Sequence, residues 1–315
     1  MKEYIVTQND EGRRMDKLLL GILSSAPSSF IYKMLRKKNI VLNDKRASGN
    51  EILCKGDSIK LYLADDTFNK FSEKKGNRIL PDIKIPPIVY EDEDLIIVNK
   101  PAGMLSQKSH ADSVSLNEIL LAYVTSNNEG NNDINTFTPS VCNRLDCYTS
   151  GLVTFAKTYK GAKALSEAFK EHLIKKYYRC VCKGRLSEDL NLTGSIVKDK
   201  TINKVSVYQD RKKGKFINTL VHPIRANNDV TLLEILLVTG KTHQIRAHLS
   251  SVGHPLIGDP KYGDRRTNME YKKNYGISYQ MLSCIKMEFP DDFELTNIAG
   301  KSFAIDMPEL FNKVI

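Results

Sequence analysis

Asn143-Arg144-Leu145-Asp146-Cys147-Tyr148-Thr149-Ser150-Gly151 runs straight into Leu152-Val153-Thr154-Phe155-Ala156. The first nine residues are mostly polar and close on a Ser-Gly pair, which reads as a turn. The next five are apolar or β-branched and short, which reads as a buried strand. Asp146 therefore lies on a loop at the mouth of a strand, where a carboxylate either caps the local turn or meets a ligand.

Working outward, Ile88-Val89-Tyr90, the turn Asp92-Glu93-Asp94 and Leu95-Ile96-Ile97-Val98-Asn99 read as strands, stopped by Lys100-Pro101-Ala102-Gly103. Tyr178–Cys182 and Thr231–Val238 are further β-rich segments. Helical patterns intervene around Gly161–Glu171 and His243–Val252, with Gly253 closing the second. Strands and helices mix without regular βαβ alternation, so residues 88–315 are expected to form an α+β domain with a mixed, largely antiparallel sheet.

The first part of the chain has another texture. Met15, Leu18, Leu19, Ile22 and Leu23 make one helical stripe. A second helix is expected after Ser28 or Ser29 as N-cap, with Lys33, Arg36, Lys37 and Lys38 turned outward. Ile40-Val41-Leu42, a turn at Asn43-Asp44 and the alternating Ile59–Leu63 complete a small α/β domain over residues 1–66. Residues 65–87 are polar and aperiodic, carry Pro81, Pro86 and Pro87, and read as a linker, with the domain boundaries set at 67–87.

The chain has 315 residues and a formal charge of +10, half of the excess falling in its first quarter. That balance suits a polyanionic partner. The six cysteines are scattered, no apolar signal core opens the chain and no run is long enough to span a membrane, so a cytoplasmic protein is expected; the expected state is a monomer. Cys142, Cys147, Cys180 and Cys182 fit no common zinc spacing, and His243 and His248 are not an i, i+4 pair, so no metal is expected. Thr239-Gly240-Lys241-Thr242 lacks the earlier glycine of a phosphate loop, and no Gly-x-Gly fingerprint occurs anywhere. No cofactor is expected.

Two resemblances sharpen this picture. Arg14–Leu19, Ser29–Lys37, Val41-Leu42-Asn43 and Lys55–Ile59 resemble the S-four-type RNA-binding module. Arg144-Leu145-Asp146, Thr149-Ser150-Gly151-Leu152 and Ala156-Lys157 resemble the signature of the RluA-type pseudouridine synthase family. Lys100–Gly103, Lys176–Gly184, Thr239–Leu249, Gly253–Asp259 with Tyr262-Gly263, and Leu282-Ser283-Cys284 through Phe289-Pro290 continue the match. Domain order and the Ala26-Pro27 to Phe30-Ile31-Tyr32 segment resemble the RluC-like branch that acts on large-subunit ribosomal RNA. Asn143 and Ser283 stand where the family often has His, and Lys241 where it often has Arg.

The resemblance implies the isomerisation of specific uridines to pseudouridine in RNA by residues 88–315, brought to the RNA by residues 1–66. It implies that Asp146 acts at the ribose, either as a nucleophile on C1′ or as a base at C2′. Arg246 would pair with Asp146 and keep it ionised, and Tyr178 would stack on the uracil and aid loss of the C5 proton. Arg144, Leu282, Lys100 and His243 are the expected substrate-binding residues, and Lys33, Arg36, Lys37 and Lys38 the RNA-binding ones. The rival reading is a catalytically inactive RNA-binding or ribosome-assembly factor. Loss of Asp146, Tyr178 or Arg246 would favour it, and all three are present.

Overall fold

The computed structural model describes residues 1–72, 84–110, 113–126, 136–199, 201–210 and 212–315. In its first part, β1 (Lys2–Ile5) leads through a 3-10 turn at Gln8–Asp10 to α1 (Met15–Ile22) and α2 (Ser28–Arg36), then β2 (Ile40–Leu42), β3 (Lys45–Arg46), β4 (Ser58–Leu61) and α3 (Asp65–Ser72). The strands form one sheet in the order β1-β4-β2-β3. Met15, Leu18, Leu19 and Ile22 from the α1 stripe, with Ile31, Met34 and Leu35 of α2, are buried against Ile40, Ile59 and Leu61 of that sheet. Neither Ser28 nor Ser29 caps α2: Pro27 occupies the cap position in extended conformation, without a side-chain cap, and Ser28 is the first helical residue. Pro27 fixes the backbone there and has no N–H to satisfy.

The helix α3 occupies the start of the expected linker, and Phe68 and Phe71 pack on the first core, Phe71 with its ring 4.5 Å from Phe30. Much of the remaining linker, residues 73–83, lies outside the described residues.

Beyond it come β5 (Ile88–Glu91), β6 (Leu95–Lys100), α4 (Leu116–Ser126), β7 (Ser140–Val141), β8 (Ser150–Ala156), α5 (Tyr159–Lys170), β9 (Lys175–Lys183), β10 (Leu190–Asp199), β11 (Lys204–Tyr208), β12 (Lys215–Ala226), β13 (Val230–Leu237), α6 (Gln244–Ser251), α7 (Arg265–Tyr275), β14 (Leu282–Glu288), β15 (Ser302–Ala304) and α8 (Glu309–Asn312). The strands build an 11-stranded sheet whose main path runs β11-β10-β12-β13-β9-β14-β8-β6-β5, with β15 on β14 and β7 on β8. Every pairing is antiparallel except that of β14 with β8. The architecture is α+β with a largely antiparallel sheet. Leu95–Val98 are all buried, because helices and loops cover both faces of the sheet centre.

A polar joint links the two parts. Asp10, 3% exposed, accepts from the hydroxyls of Tyr4, Thr7 and Thr136 and from the Arg13 guanidinium, and that guanidinium lies 5.2 Å from the Tyr159 ring of α5. Gly21 lies so close to the Thr136 backbone that a Cβ there would come within 1.9 Å of its carbonyl oxygen. Gly21→Ala is expected to favour α1 itself by roughly 1 kcal/mol yet to open this joint. Hydrogen exchange should then quicken around Thr136 and Tyr159 but not in α1. Unchanged protection at both places would refute this account of the glycine.

Candidate active site

The parallel pair β8–β14 organises the site. Gly151 has a φ of +113°, and a Cβ on it would fall 2.2 Å from the Cys284 carbonyl oxygen, so glycine alone allows β8 to start against β14 here. The Thr149 N–H donates to the Asp146 carbonyl at 3.0 Å. The turn before β8 is thus closed by the Asp146 backbone, which leaves its carboxylate available.

Lys100 fastens this turn from below. It is fully buried at the end of β6, and its Nζ donates to the carbonyls of Met104, Cys147 and Pro101 at 2.8, 3.0 and 3.1 Å. Burial brings its pKa down to about 8, with the nearby Cys147 and Asp146 opposing the fall. An ammonium has three donors, and all three are occupied by backbone. Lys100, expected to bind substrate, instead positions the loop that carries Asp146. Ser106 adds a second tie, its hydroxyl donating to the Leu145 carbonyl and accepting from the Leu145 N–H.

The Asp146 carboxylate meets α6. Arg246 donates from Nη1 to Asp146 Oδ2 at 2.7 Å, across 100 residues of sequence. Its other edge is clamped: Nε and Nη2 donate to Asp259 Oδ2 and Oδ1 at 2.7 and 2.9 Å. Asp259 is wholly buried and also accepts from the N–H groups of Lys261 and Tyr262. Burial opposes the guanidinium charge, but the Asp259 and Asp146 carboxylates outweigh it, so Arg246 stays charged. A fork held on one side by a fixed carboxylate presents its remaining N–H edge in one direction. In the sequence Asp259 only closes the Gly253–Asp259 segment, with nothing local to mark it as a clamp.

His243 borders the same carboxylate. It precedes α6 in left-handed conformation, with Nδ1 2.9 Å from the Tyr262 hydroxyl and Nε2 3.9 Å from Asp146 Oδ2. The Tyr262 oxygen also accepts from the Val205 N–H. In the tautomer where the Tyr262 hydroxyl donates to Nδ1, the imidazole N–H sits on Nε2 and faces Asp146. Burial lowers the His243 pKa, with Asp146 pulling the other way.

Tyr178 and Leu282 come from the neighbouring strands β9 and β14. Tyr178, 5% exposed, lies opposite Cys284, and Leu282, two residues before Cys284 and opposite Cys180, is buried as well. Tyr177, on the other face of β9, instead donates to Glu288. Burial pushes the Tyr178 phenol well above its usual pKa, and the Cys284 thiol and the Asp146 charge add to the rise. The hydroxyl therefore remains protonated, which suits a stacking ring; accepting a proton from C5 would first require a partner to take its own. Arg144 is exposed and makes no ion pair among the described residues. Asn143 faces β8, accepting from the Thr154 N–H and hydroxyl at 2.7 and 2.9 Å, and the Ser283 hydroxyl is buried without a partner among the described residues. Lys33, Arg36, Lys37 and Lys38 are all exposed on or just after α2.

Another histidine anchors α6. His248 is 2% exposed, its Nδ1 is 3.1 Å from the Thr219 hydroxyl, and burial lowers its pKa to about 4. The folded state then binds fewer protons than the unfolded state between about pH 4 and 6.5, so stability is present above 6.5 and is lost as pH falls towards 4. That loss should approach roughly 3 kcal/mol. Denaturant melts of wild type and His248→Gln should show their stability difference shrinking by about that amount between pH 7 and 4. A pH-independent difference would remove His248 from the acid response.

Residues 94–251 match the family model described as RNA pseudouridylate synthase. Ribosomal large subunit pseudouridine synthase C of Rickettsia bellii is 30% identical, over 98% of this chain and 100% of that protein. The chain belongs to this family. It is an RNA pseudouridine synthase, an isomerase of uridine. An uncharacterized RNA pseudouridine synthase of Mycoplasma genitalium is also 30% identical, over 91% of this chain and 89% of its own length. Among solved structures, human RNA pseudouridylate synthase domain containing 4 superposes with a TM-score of 0.55 at 19% identity, covering 72% of this chain and 90% of that one, which speaks for the fold.

Proposed function

We propose that this pseudouridine synthase isomerises uridines in large-subunit ribosomal RNA, with Asp146, Arg246 and Tyr178 as its catalytic set. The observation carrying the site is the 2.7 Å bond from Arg246, itself clamped by Asp259, to a carboxylate that the local turn leaves unused. The choice of RNA rests on relatives named for the large ribosomal subunit and on the basic N-terminal face.

In the reaction the C1′–N1 bond of uridine breaks and a C1′–C5 bond forms. C5 then gives up its proton, N1 gains one, and nothing is oxidised. Asp146, ionised, acts on the ribose as a nucleophile at C1′ or as a base at C2′. Arg246 holds it in place, the Tyr178 ring stacks on the turned uracil, and Leu282 packs beside it. Arg144 takes a phosphate, and His243 can donate its Nε2–H to the sugar or to Asp146.

Residues 1–66 act as an RNA-binding domain through Lys33, Arg36, Lys37 and Lys38, residues 67–87 connect, and residues 88–315 catalyse. The α2 face borders a concavity of about 650 Å3 lined by Tyr32, Arg36 and Arg46, among others. Among the described residues no helix is long and apolar enough to cross a membrane. We place the enzyme in the cytoplasm, as a monomer.

Pseudouridine maps of cellular RNA test the proposal. Deletion of the gene should erase one or a few pseudouridines from large-subunit RNA, and wild-type protein should restore them. A well-covered map that keeps every pseudouridine would sink it, and a loss confined to transfer RNA would overturn the ribosomal choice.

A further inference from the structure

Two tyrosines stand at the rim of the site without a role in the fold. Tyr148 is two residues beyond Asp146 in the same turn, and Tyr279 immediately precedes Gln280, whose amide donates to the Thr149 hydroxyl at 3.2 Å. Their rings are stacked, with centroids 5.2 Å apart and planes within 12°. Each keeps a large exposed surface, 46% for Tyr148 and 39% for Tyr279. Neither belongs to a hydrophobic core cluster, and neither hydroxyl has a hydrogen-bond partner among the described residues. Two large rings held parallel and left open next to a catalytic loop cost solvation and return little to the fold.

We propose that the Tyr148–Tyr279 pair is a stacking ledge for an unpaired nucleobase adjoining the target uridine. The inference rests on the RNA reading above and extends it to a neighbouring subsite. A uridine drawn out to meet Asp146 leaves its neighbours with an uncovered face, and an aromatic surface continuous with the catalytic turn can cover one. Tyr148 and Asp146 share one turn, so the ledge and the carboxylate are held at a fixed separation. Arg144, exposed and two residues before Asp146 where Tyr148 is two after, is a candidate for the phosphate that joins the two nucleotides. Stacking of this kind tolerates any base, so the ledge adds affinity and demands an unpaired neighbour without reading its identity.

The test uses the full chain and the RNA segment around the uridine identified by the deletion map. Three versions are needed: unmodified, abasic at the nucleotide before the target, and abasic at the nucleotide after it. Tyr148→Ala and Tyr279→Ala should each weaken binding of the unmodified RNA by about ten-fold, ~1.4 kcal/mol. One abasic RNA should bind wild type about ten-fold more weakly, and the alanine variants should show no further loss with it. Tyr148→Phe should bind as wild type, since the ring and not the hydroxyl is used. Thermal melting of each variant within about 2 °C of wild type shows that the fold is intact. Alanine variants that bind unmodified RNA normally, or lose the same factor with all three RNAs, would overturn the ledge alone. If wild type does not bind the unmodified segment, the RNA reading falls and takes the ledge with it.

Discussion

Asp146→Asn is expected to lower turnover on purified RNA by about ten-thousand-fold or more while changing RNA affinity by less than about three-fold. The asparagine side chain has the same shape, and its carbonyl oxygen can still accept from Arg246 Nη1, which now donates to Asp146 at 2.7 Å. The guanidinium is meanwhile held by Asp259, so the rest of the site keeps its geometry. What is lost is the charge, and a neutral amide can neither attack C1′ nor take a proton from C2′. Affinity should survive because phosphate contacts, carried by other residues, supply most of it. Single-turnover rates and equilibrium binding on one RNA separate the two effects. An asparagine variant that turns over within ten-fold of wild type would remove Asp146 from the chemistry. Deuterium at C2′ in wild-type turnover then divides the two routes, because the rate falls only where that proton is removed in the slow step.

The sequence shows Asp146 and its turn, but it does not show why the carboxylate is free. Thr149 bonds to the Asp146 backbone, so the side chain that local reasoning would use as a cap is left over. The helix carrying Arg246 is legible from its pattern. The bond it makes joins residues 100 apart and depends on how β8, β14 and α6 come together. Asp259 is illegible for the same reason: an acidic residue after a glycine usually serves a turn, and nothing local announces a buried bidentate clamp. Lys100 is the opposite case. Its motif marked it as important, but only the structure shows its three donors aimed at backbone carbonyls. In the first part the α1 stripe was plain, whereas α3 was hidden by Asp, Asn and Ser, residues that disfavour helix interiors. It forms because Phe68 and Phe71, three apart, share one face and reach the first core.

Arg246→Ala should cost stability as well as activity. Asp259 is 0% exposed, and its carboxylate relies on the guanidinium for two of its hydrogen bonds. Without Arg246 it is a buried charge held by two backbone N–H groups. Breaking such a pair from one side costs roughly 3–5 kcal/mol, which for a chain of this size lowers Tm by on the order of 10 °C. Much of that loss is the stranded charge rather than the missing contact, and neutralising the charge should return it. Arg246→Met combined with Asp259→Asn keeps an oxygen for the N–H groups of Lys261 and Tyr262 and fills part of the space left by the arginine. The double variant should melt closer to wild type than Arg246→Ala does, yet remain inactive, because no cation faces Asp146. Thermal melts and turnover measured on the same preparations distinguish the outcomes. If Arg246→Ala melts within about 3 °C of wild type, Asp259 is not stranded and the clamp is weaker than its geometry implies; if the double variant turns over, Arg246 has no part in catalysis.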